Sequence, residues 1–263
     1  MSRRVAIITG GATGVGAATA RMLATRGHNV LINYSRSAAQ AQAVVDECVA
    51  LGADALALRA DVSVDADCRA LVREAVARWG RVDALVNSAG TTRFVPIADF
   101  DAVQTEDFER AYAVNTIGPF QMARAARPHM GPGSAIVNVS SISALTGNGS
   151  SIPYVLSKAA LNALTLALAR TMAPAVRVNA VLPGMIEGRW MRDGLGDAAF
   201  ERVKAQAQAG AALGTISRPE QIASAVCWLL EPDSVVTGQL IPVDAGQLLG
   251  RPAPVTEADK PPV

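Results

Sequence analysis

Cysteine is scarce, and the three present do not cluster. Cys48, Cys68 and Cys227 are widely separated and form no CxxC pair. That spacing argues against a disulfide framework and against a zinc site, so no metal is expected, and it points to a reducing compartment with the cytosol as the default address. Charge is scarce too. Charged residues make up 18% of the 263 positions, and 24 Lys+Arg against 23 Asp+Glu leave a net charge of +1. No excess of either sign remains to draw the chain to nucleic acid or to an anionic membrane. A long leader is missing as well: Met1-Ser2-Arg3-Arg4 runs straight into an apolar segment that breaks at Gly10, too soon for a signal peptide or a membrane span. There is no internal repeat or long linker. One segment stands apart, 251–263, where four prolines fall in thirteen residues, and it reads as a flexible tail.

What is present is apolar: 50% of residues are hydrophobic, far too many for a disordered chain. A chain of this length can bury roughly seven tenths of its surface, enough for one domain over 1–250. Apolar runs of strand length recur at 5–9, 30–34, 55–58, 84–86, 135–139, 176–182 and 239–243. Between them lie helix-like stretches, among them 37–51, 64–79, 106–128 and 220–230. Near-continuous apolar strands alternating with helices predict an α/β fold, a doubly wound parallel sheet of about seven strands with helices on both faces. The stretch 154–169 is the most apolar helix, yet it carries Ser157, Lys158 and Asn162 and so reads as buried rather than membrane-spanning. A helix apolar around most of its circumference must pack on two sides, and a second subunit is one way to cover the outer side. A homo-oligomer, dimer or tetramer, is therefore expected.

The first strand runs into Thr9-Gly10-Gly11-Ala12-Thr13-Gly14-Val15-Gly16, followed by a helix-compatible run from Ala17. Glycines allow a tight turn and close approach of backbone to phosphate oxygens, and the free N–H groups of a first helical turn attract the anion. Strand, glycines and helix in that order predict a dinucleotide cradle. An acidic residue about 20 positions further on would bind a free ribose 2′-hydroxyl and repel a 2′-phosphate. None exists: the first acid in the chain is Asp46, whereas Arg3, Arg4, Arg21, Arg26 and Arg36 precede it. The second strand ends Asn33-Tyr34-Ser35-Arg36, offering the hydroxyl of Ser35 and the guanidinium of Arg36 to a phosphate. This favours NADP(H) and leaves NAD(H) open, since Thr13 lacks a positive charge and Arg36 also reads as a solvated loop residue.

Tyr154 and Lys158 stand four apart on a helix, about 6 Å along its axis and on one face. A phenol titrates near 10, and bringing it to about 7 requires about 4 kcal/mol of stabilisation of the phenolate, which a neighbouring ammonium and a cationic nicotinamide could supply. The same spacing alone is also an ordinary helix surface. Ser141, thirteen residues upstream at the end of an apolar strand, sits where a parallel sheet presents its ligand-binding residues.

With the glycine loop, Asp61-Val62, Asn87-Ser88-Ala89-Gly90, Asn115, Ser141, Tyr154 with Lys158, and Pro183-Gly184, the chain resembles the short-chain dehydrogenase/reductase family from Val5 to about Gly250. The resemblance implies a Rossmann-like fold and hydride transfer between a nicotinamide and a small carbonyl or alcohol substrate. It implies Tyr154 as proton donor, Ser141 as its hydrogen-bonding partner, Lys158 as modulator and ribose ligand, and Asn115 as anchor of a relay water. For the cofactor it implies contacts from Gly10, Thr13, Gly14, Val15 and Gly16, from Asp61 and Val62, from Asn87, Ala89 and Gly90, from Tyr154 and Lys158, and from Pro183, Gly184 and Ile186. Asp61 would meet adenine, although a turn-forming aspartate reads equally well.

Three positions depart from the family's pattern. Ser88 replaces the second asparagine of NNAG, Gly188 stands where many relatives have a cofactor-contacting threonine, and Asp244-Ala245-Gly246 replaces a pair of glycines. Substrate-facing candidates are 91–94, 142–154 and a lid over 185–214 with Arg189, Trp190 and Arg192, whose arginines could grip a carboxylate or phosphate or merely be solvated. The register is similar to 3-oxoacyl-acyl-carrier-protein reductases and bacterial sugar or polyol dehydrogenases. A non-catalytic NADP-responsive binding protein is the reading from another class. An enoyl reductase is disfavoured, because such relatives separate Tyr and Lys by six residues.

Overall fold

The apolar runs form seven strands: β1 (Val5–Thr9), β2 (Asn29–Tyr34), β3 (Ala55–Arg59), β4 (Ala84–Asn87), β5 (Ser134–Val139), β6 (Val176–Pro183) and β7 (Leu240–Val243). They make one all-parallel sheet in the order β3-β2-β1-β4-β5-β6-β7. The computed structural model describes residues 3–251, so the tail expected over 251–263 lies outside them apart from Arg251. The helices are α1 (Gly14–Thr25), α2 (Ala38–Ala50), α3 (Asp65–Trp79), α4 (Thr105–Tyr112), α5 (Gly118–Ala126), α6 (Ser143–Thr146), α7 (Ile152–Met172), α8 (Arg189–Leu195), α9 (Asp197–Gly210) and α10 (Pro219–Leu229).

Alternation along β1 divides the core into two layers. Ala6 and Ile8 pack with Leu23, Val44 and Val226 from α1, α2 and α10. Val5 and Ile7 pack with Leu71, Met122 and Leu168 from α3, α5 and α7. Each large side chain taken fully out of water here stabilises the fold by about 1.5–3 kcal/mol. Strand order turns outward in both directions from the β1–β4 pair, which opens a crevice at the carboxyl ends of these strands.

The segment 106–128, expected as one helix, is broken. A π-helical turn over Ala113–Ile117 separates α4 from α5, and a 3-10 turn over Arg127–His129 ends the run. Pro119 gives a physical reason: it has no N–H for the Asn115 carbonyl four residues back, and its ring would crowd that carbonyl in a regular helix. By length and composition α7 could cross a membrane, but its Ser157, Lys158 and Thr165 are buried and hydrogen-bonded inside the protein. Its start is set by Ser151, whose hydroxyl accepts from the Tyr154 N–H, with Pro153 in the first turn. The segment after β6 is anchored at both ends, for Ile186 pairs with Ser217 and Phe200 of α9 is fully buried.

Candidate active site

At the carboxyl edge of the sheet the glycine loop is pressed against β4. A Cβ on Gly10 would lie 2.8 Å from the Ala89 Cα, and one on Gly16 would lie 2.4 Å from the Gly10 carbonyl oxygen. A side chain at either position would collide with backbone, which a flexible neighbour cannot relieve. Gly14 is different: it has φ 53, and nothing lies within 4 Å of its would-be Cβ. The α1 helix starts there with no side-chain cap from Thr13. The first-turn N–H groups of Gly14, Val15 and Gly16 therefore lack intrahelical acceptors beside open space, a ready anion cradle.

Two buried polar residues not singled out in the sequence hold this loop. The Thr9 hydroxyl accepts from the N–H groups of Ser88 and Ala89, each at 3.1 Å. The Asn33 side chain accepts from Gly10 N at 3.3 Å and donates to the Ala60 carbonyl at 3.0 Å. Both sit inside apolar strands, and a polar group buried there requires partners; that was the available signal. Ser35 and Arg36 are exposed just beyond β2. Arg36 forms no ion pair among the described residues, and Arg59 Nε donates to the Ser35 carbonyl at 3.2 Å, bringing a second guanidinium to the same corner.

Asp61 is engaged locally. Its carboxylate accepts from Ser63 N at 3.0 Å and Ser63 Oγ at 2.6 Å, and from Arg110 at 3.1 Å. Burial acts to raise its pKa, but the Ser63 and Arg110 contacts outweigh it and hold the carboxyl below its ordinary value. The turn-forming role is thus the one the geometry displays. Val62 is buried against Gly118, whose would-be Cβ lies 3.0 Å from Val62 Cγ2. Asn87 is tied into a buried chain, donating to Asn138 at 2.8 Å, which donates to Thr165 at 2.9 Å.

Beyond β5 the chain continues sheet-like beside β6, with Ser140 N on the Val181 carbonyl at 2.8 Å and Ile142 N on the Pro183 carbonyl at 3.0 Å. This sets Ser141 beside Pro183-Gly184. Ser140 is turned away, its hydroxyl donating to the Lys158 carbonyl at 3.2 Å, while Ser141 Oγ donates to Ser143 Oγ at 3.0 Å. Lys158 Nζ lies 5.7 Å from the Tyr154 ring centroid and donates to the Val139 carbonyl at 2.8 Å. A Cβ on Gly90 would stand 3.8 Å from Lys158 Nζ and 3.6 Å from Asn115 Oδ1. Asn115 uses its side chain to bind both backbone groups of Thr91, at 2.8 and 2.9 Å, and Ser157 Oγ at 2.9 Å. It is an interhelix tie, and its backbone carbonyl is the atom that Pro119 leaves without a regular helical partner.

The expected field on Tyr154 combines Lys158 with a cationic nicotinamide; in the protein by itself, burial dominates at both side chains. Burial pushes the Tyr154 phenol up to about 12, opposed by the nearby Ser141 hydroxyl. Burial likewise pushes the Lys158 ammonium down to about 8. Removal from water disfavours the charged form of each group.

Arg189 and Arg192, expected on a substrate lid, form ion pairs. Arg189 meets Asp193 at 3.4 Å, and Arg192 meets Asp197 at 2.7 Å and Glu201 at 2.8 Å, all at the surface. Trp190 between them lies with its ring centroid 5.8 Å from that of Tyr154. At the third departure from the family's pattern, Ala245 takes a left-handed φ of 56.

Fold and site together define a dinucleotide-binding oxidoreductase framework with a Ser-Tyr-Lys arrangement, and comparison with known proteins gives its family. A family model described as enoyl-(acyl carrier protein) reductase matches residues 10–247. A Streptomyces violaceoruber protein with the provisional name ketoacyl reductase 2 of the granaticin polyketide synthase is 42% identical over 245 residues, 92% of this chain and 95% of that one. A crystal structure from Burkholderia xenovorans, provisionally described as a short-chain dehydrogenase/reductase, superposes with a TM-score of 0.87 at 43% identity, covering 95% of this chain and 100% of that one. A blue fluorescent protein from a metagenomic library, solved in complex with NADPH, has a TM-score of 0.84 at 33% identity, with 94% and 98% covered. The chain belongs to the short-chain dehydrogenase/reductase family.

Proposed function

We propose that this protein is an NADP(H)-dependent oxidoreductase acting between a carbonyl and an alcohol, with Tyr154 as general acid and base. The observation that carries the reading is Tyr154 and Lys158 on one face of α7, beside Ser141 and at the same sheet edge as the uncapped start of α1. The residues present fit the cofactor: the first turn of α1 opens with free N–H groups beside empty space at Gly14, and the end of β2 carries Arg36, with Arg59 beside Ser35, and no acid in the strand itself. When bound, the reduced nicotinamide supplies the hydride. Ser141 Oγ then holds the substrate oxygen, and Tyr154, protonated at neutral pH because its phenol is pushed up to about 12, gives that oxygen its proton. Lys158 binds the ribose side through Nζ, and the Asn115 carbonyl holds a water through which the phenol is reprotonated.

The ketoacyl reductase name among the relatives and the spacing of Tyr154 from Lys158 favour a carbonyl over a carbon–carbon double bond as the group reduced. The cysteines Cys48, Cys68 and Cys227 are free thiols, which supports a reducing cytosol as the address. The exposed apolar side chains Tyr112, Ile117, Phe120, Leu156 and Leu166 on α4, α5 and α7 and the π-turn between them are the surface by which a homo-oligomer forms.

The test is a panel of ketones, aldehydes and keto-acyl thioesters followed by NADPH absorbance, with NADH alongside. NADPH consumption is expected, and Arg36→Ala should weaken NADPH binding about tenfold or more while leaving NADH nearly unaffected, since a charge-assisted contact is lost. Turnover with NADH alone would overturn the assignment of Ser35 and Arg36. NADPH binding without turnover on any member of the panel would favour a binding protein instead.

A further inference from the structure

Three aromatic rings meet over the reacting end of the site. The Trp190 centroid lies 5.8 Å from Tyr154 at an interplanar angle of 50° and 5.9 Å from Phe94 at 60°. Both separations fall in the range of direct aromatic contact. Tyr154 is only 8% exposed whereas Trp190 is 48% exposed, so the indole touches the buried phenol ring while keeping about half of its own surface open.

The backbone is arranged to bring it there. Gly188, just before α8, has φ 152 and ψ 177, a conformation nearly closed to other residues. The threonine expected at this position from the family's pattern would be strained. Gly194 on α8 has no room for a side chain, because a Cβ would lie 1.9 Å from the Phe94 ring; the ring occupies that space. Arg192 pins α8 to α9 by pairing with Asp197 and Glu201 and by lying 4.3 Å over the Phe200 ring.

The charges around these rings are already matched. Arg189 and Arg192 are paired as described, Lys204 meets Glu187 at 2.7 Å, and Arg93, next to Phe94, is held by Asp107 at 2.6 Å. Between these ion pairs the wall next to Tyr154 is aromatic, formed by Trp190 and Phe94.

We infer that this aromatic wall receives a carbonyl compound built on a planar aromatic ring, with the half-exposed Trp190 as the residue that selects it. The inference rests on the reading of Tyr154 as proton donor, since it orients the substrate's ring along the wall that ends at that phenol. A flat π-face stacks on or packs edge-on against the indole, whereas a puckered saturated ring of similar size cannot approach as closely.

The test compares 2-tetralone with its ring-saturated counterpart 2-decalone, and adds a binding measurement that needs no turnover. Wild type should prefer 2-tetralone in kcat/KM; Trp190→Ala should reduce that preference about five- to tenfold, and Trp190→Phe should keep most of it. In a Trp79→Phe/Trp228→Phe background Trp190 is the sole tryptophan of the three, and 2-naphthol should quench its fluorescence saturably. An equal loss for both ketones in Trp190→Ala, or no quenching by 2-naphthol, would overturn the inference. Quenching without reduction of either ketone would instead sink the proposed function and leave the aromatic wall standing.

Discussion

Lys158 carries two opposing demands. Burial makes its ammonium costly, and a fall from an ordinary 10.5 to about 8 corresponds to about 3 kcal/mol. Below pH 8 both folded and unfolded chains bind this proton, and the folded state bears the full cost. Between pH 8 and 10.5 only the unfolded chain binds it, so this residue makes stability rise with pH across that window. Denaturant unfolding at pH 7.5 and pH 10 should therefore show wild type gaining on Lys158→Met, by up to about 3 kcal/mol; parallel curves would remove the buried ammonium from the account. Cofactor affinity should run the other way, weakening above pH 8 as Nζ loses its charge. None of this was legible in the sequence, which shows that Tyr154 and Lys158 share a helix face but not how dry that face is.

At the scale of elements, the strands were legible because each is a short apolar run, and their ends differ from expectation by no more than a residue or two. The long helix expected over 106–128 was not, because its apolar pattern continues through Gly118-Pro119 while the backbone hydrogen bonding changes there. The fastenings of the glycine loop were hidden for another reason. Thr9 and Asn33 announce only that they need partners, and the partners lie just after β3 and just after β4, distant in sequence. The turn after β7 holds a testable strain. Ala245 sits at φ 56, where a Cβ costs about 1–2 kcal/mol, against about 0.5–1 kcal/mol of added chain entropy when glycine replaces it. Ala245→Gly should raise stability in urea unfolding by about 0.5–1 kcal/mol; a loss would mean the Ala245 methyl makes a contact that outweighs the strain.

For the whole molecule, the parallel sheet and its crevice follow from the alternation of strands and helices, and the family from the set of spaced motifs. The outer face of α7 is where sequence and structure leave the same question. Its Leu156 and Leu166, with Phe120 of the neighbouring α5, are only partly covered within one chain, and a second copy would bury them. Sedimentation should give a multiple of 27.2 kDa for wild type. Phe120→Glu/Leu166→Glu should shift it toward the single-chain mass, since a buried unpaired charge at an interface costs several kcal/mol. An unchanged assembly state in that variant would place the interface elsewhere.

The most direct test of the central claim, that Tyr154 passes the proton in an NADPH-linked carbonyl reduction, is the turnover of Tyr154→Phe measured beside its NADPH binding. The account predicts a fall of about 10²- to 10⁴-fold in kcat with NADPH still bound saturably. Turnover at the wild-type rate in that variant would contradict it.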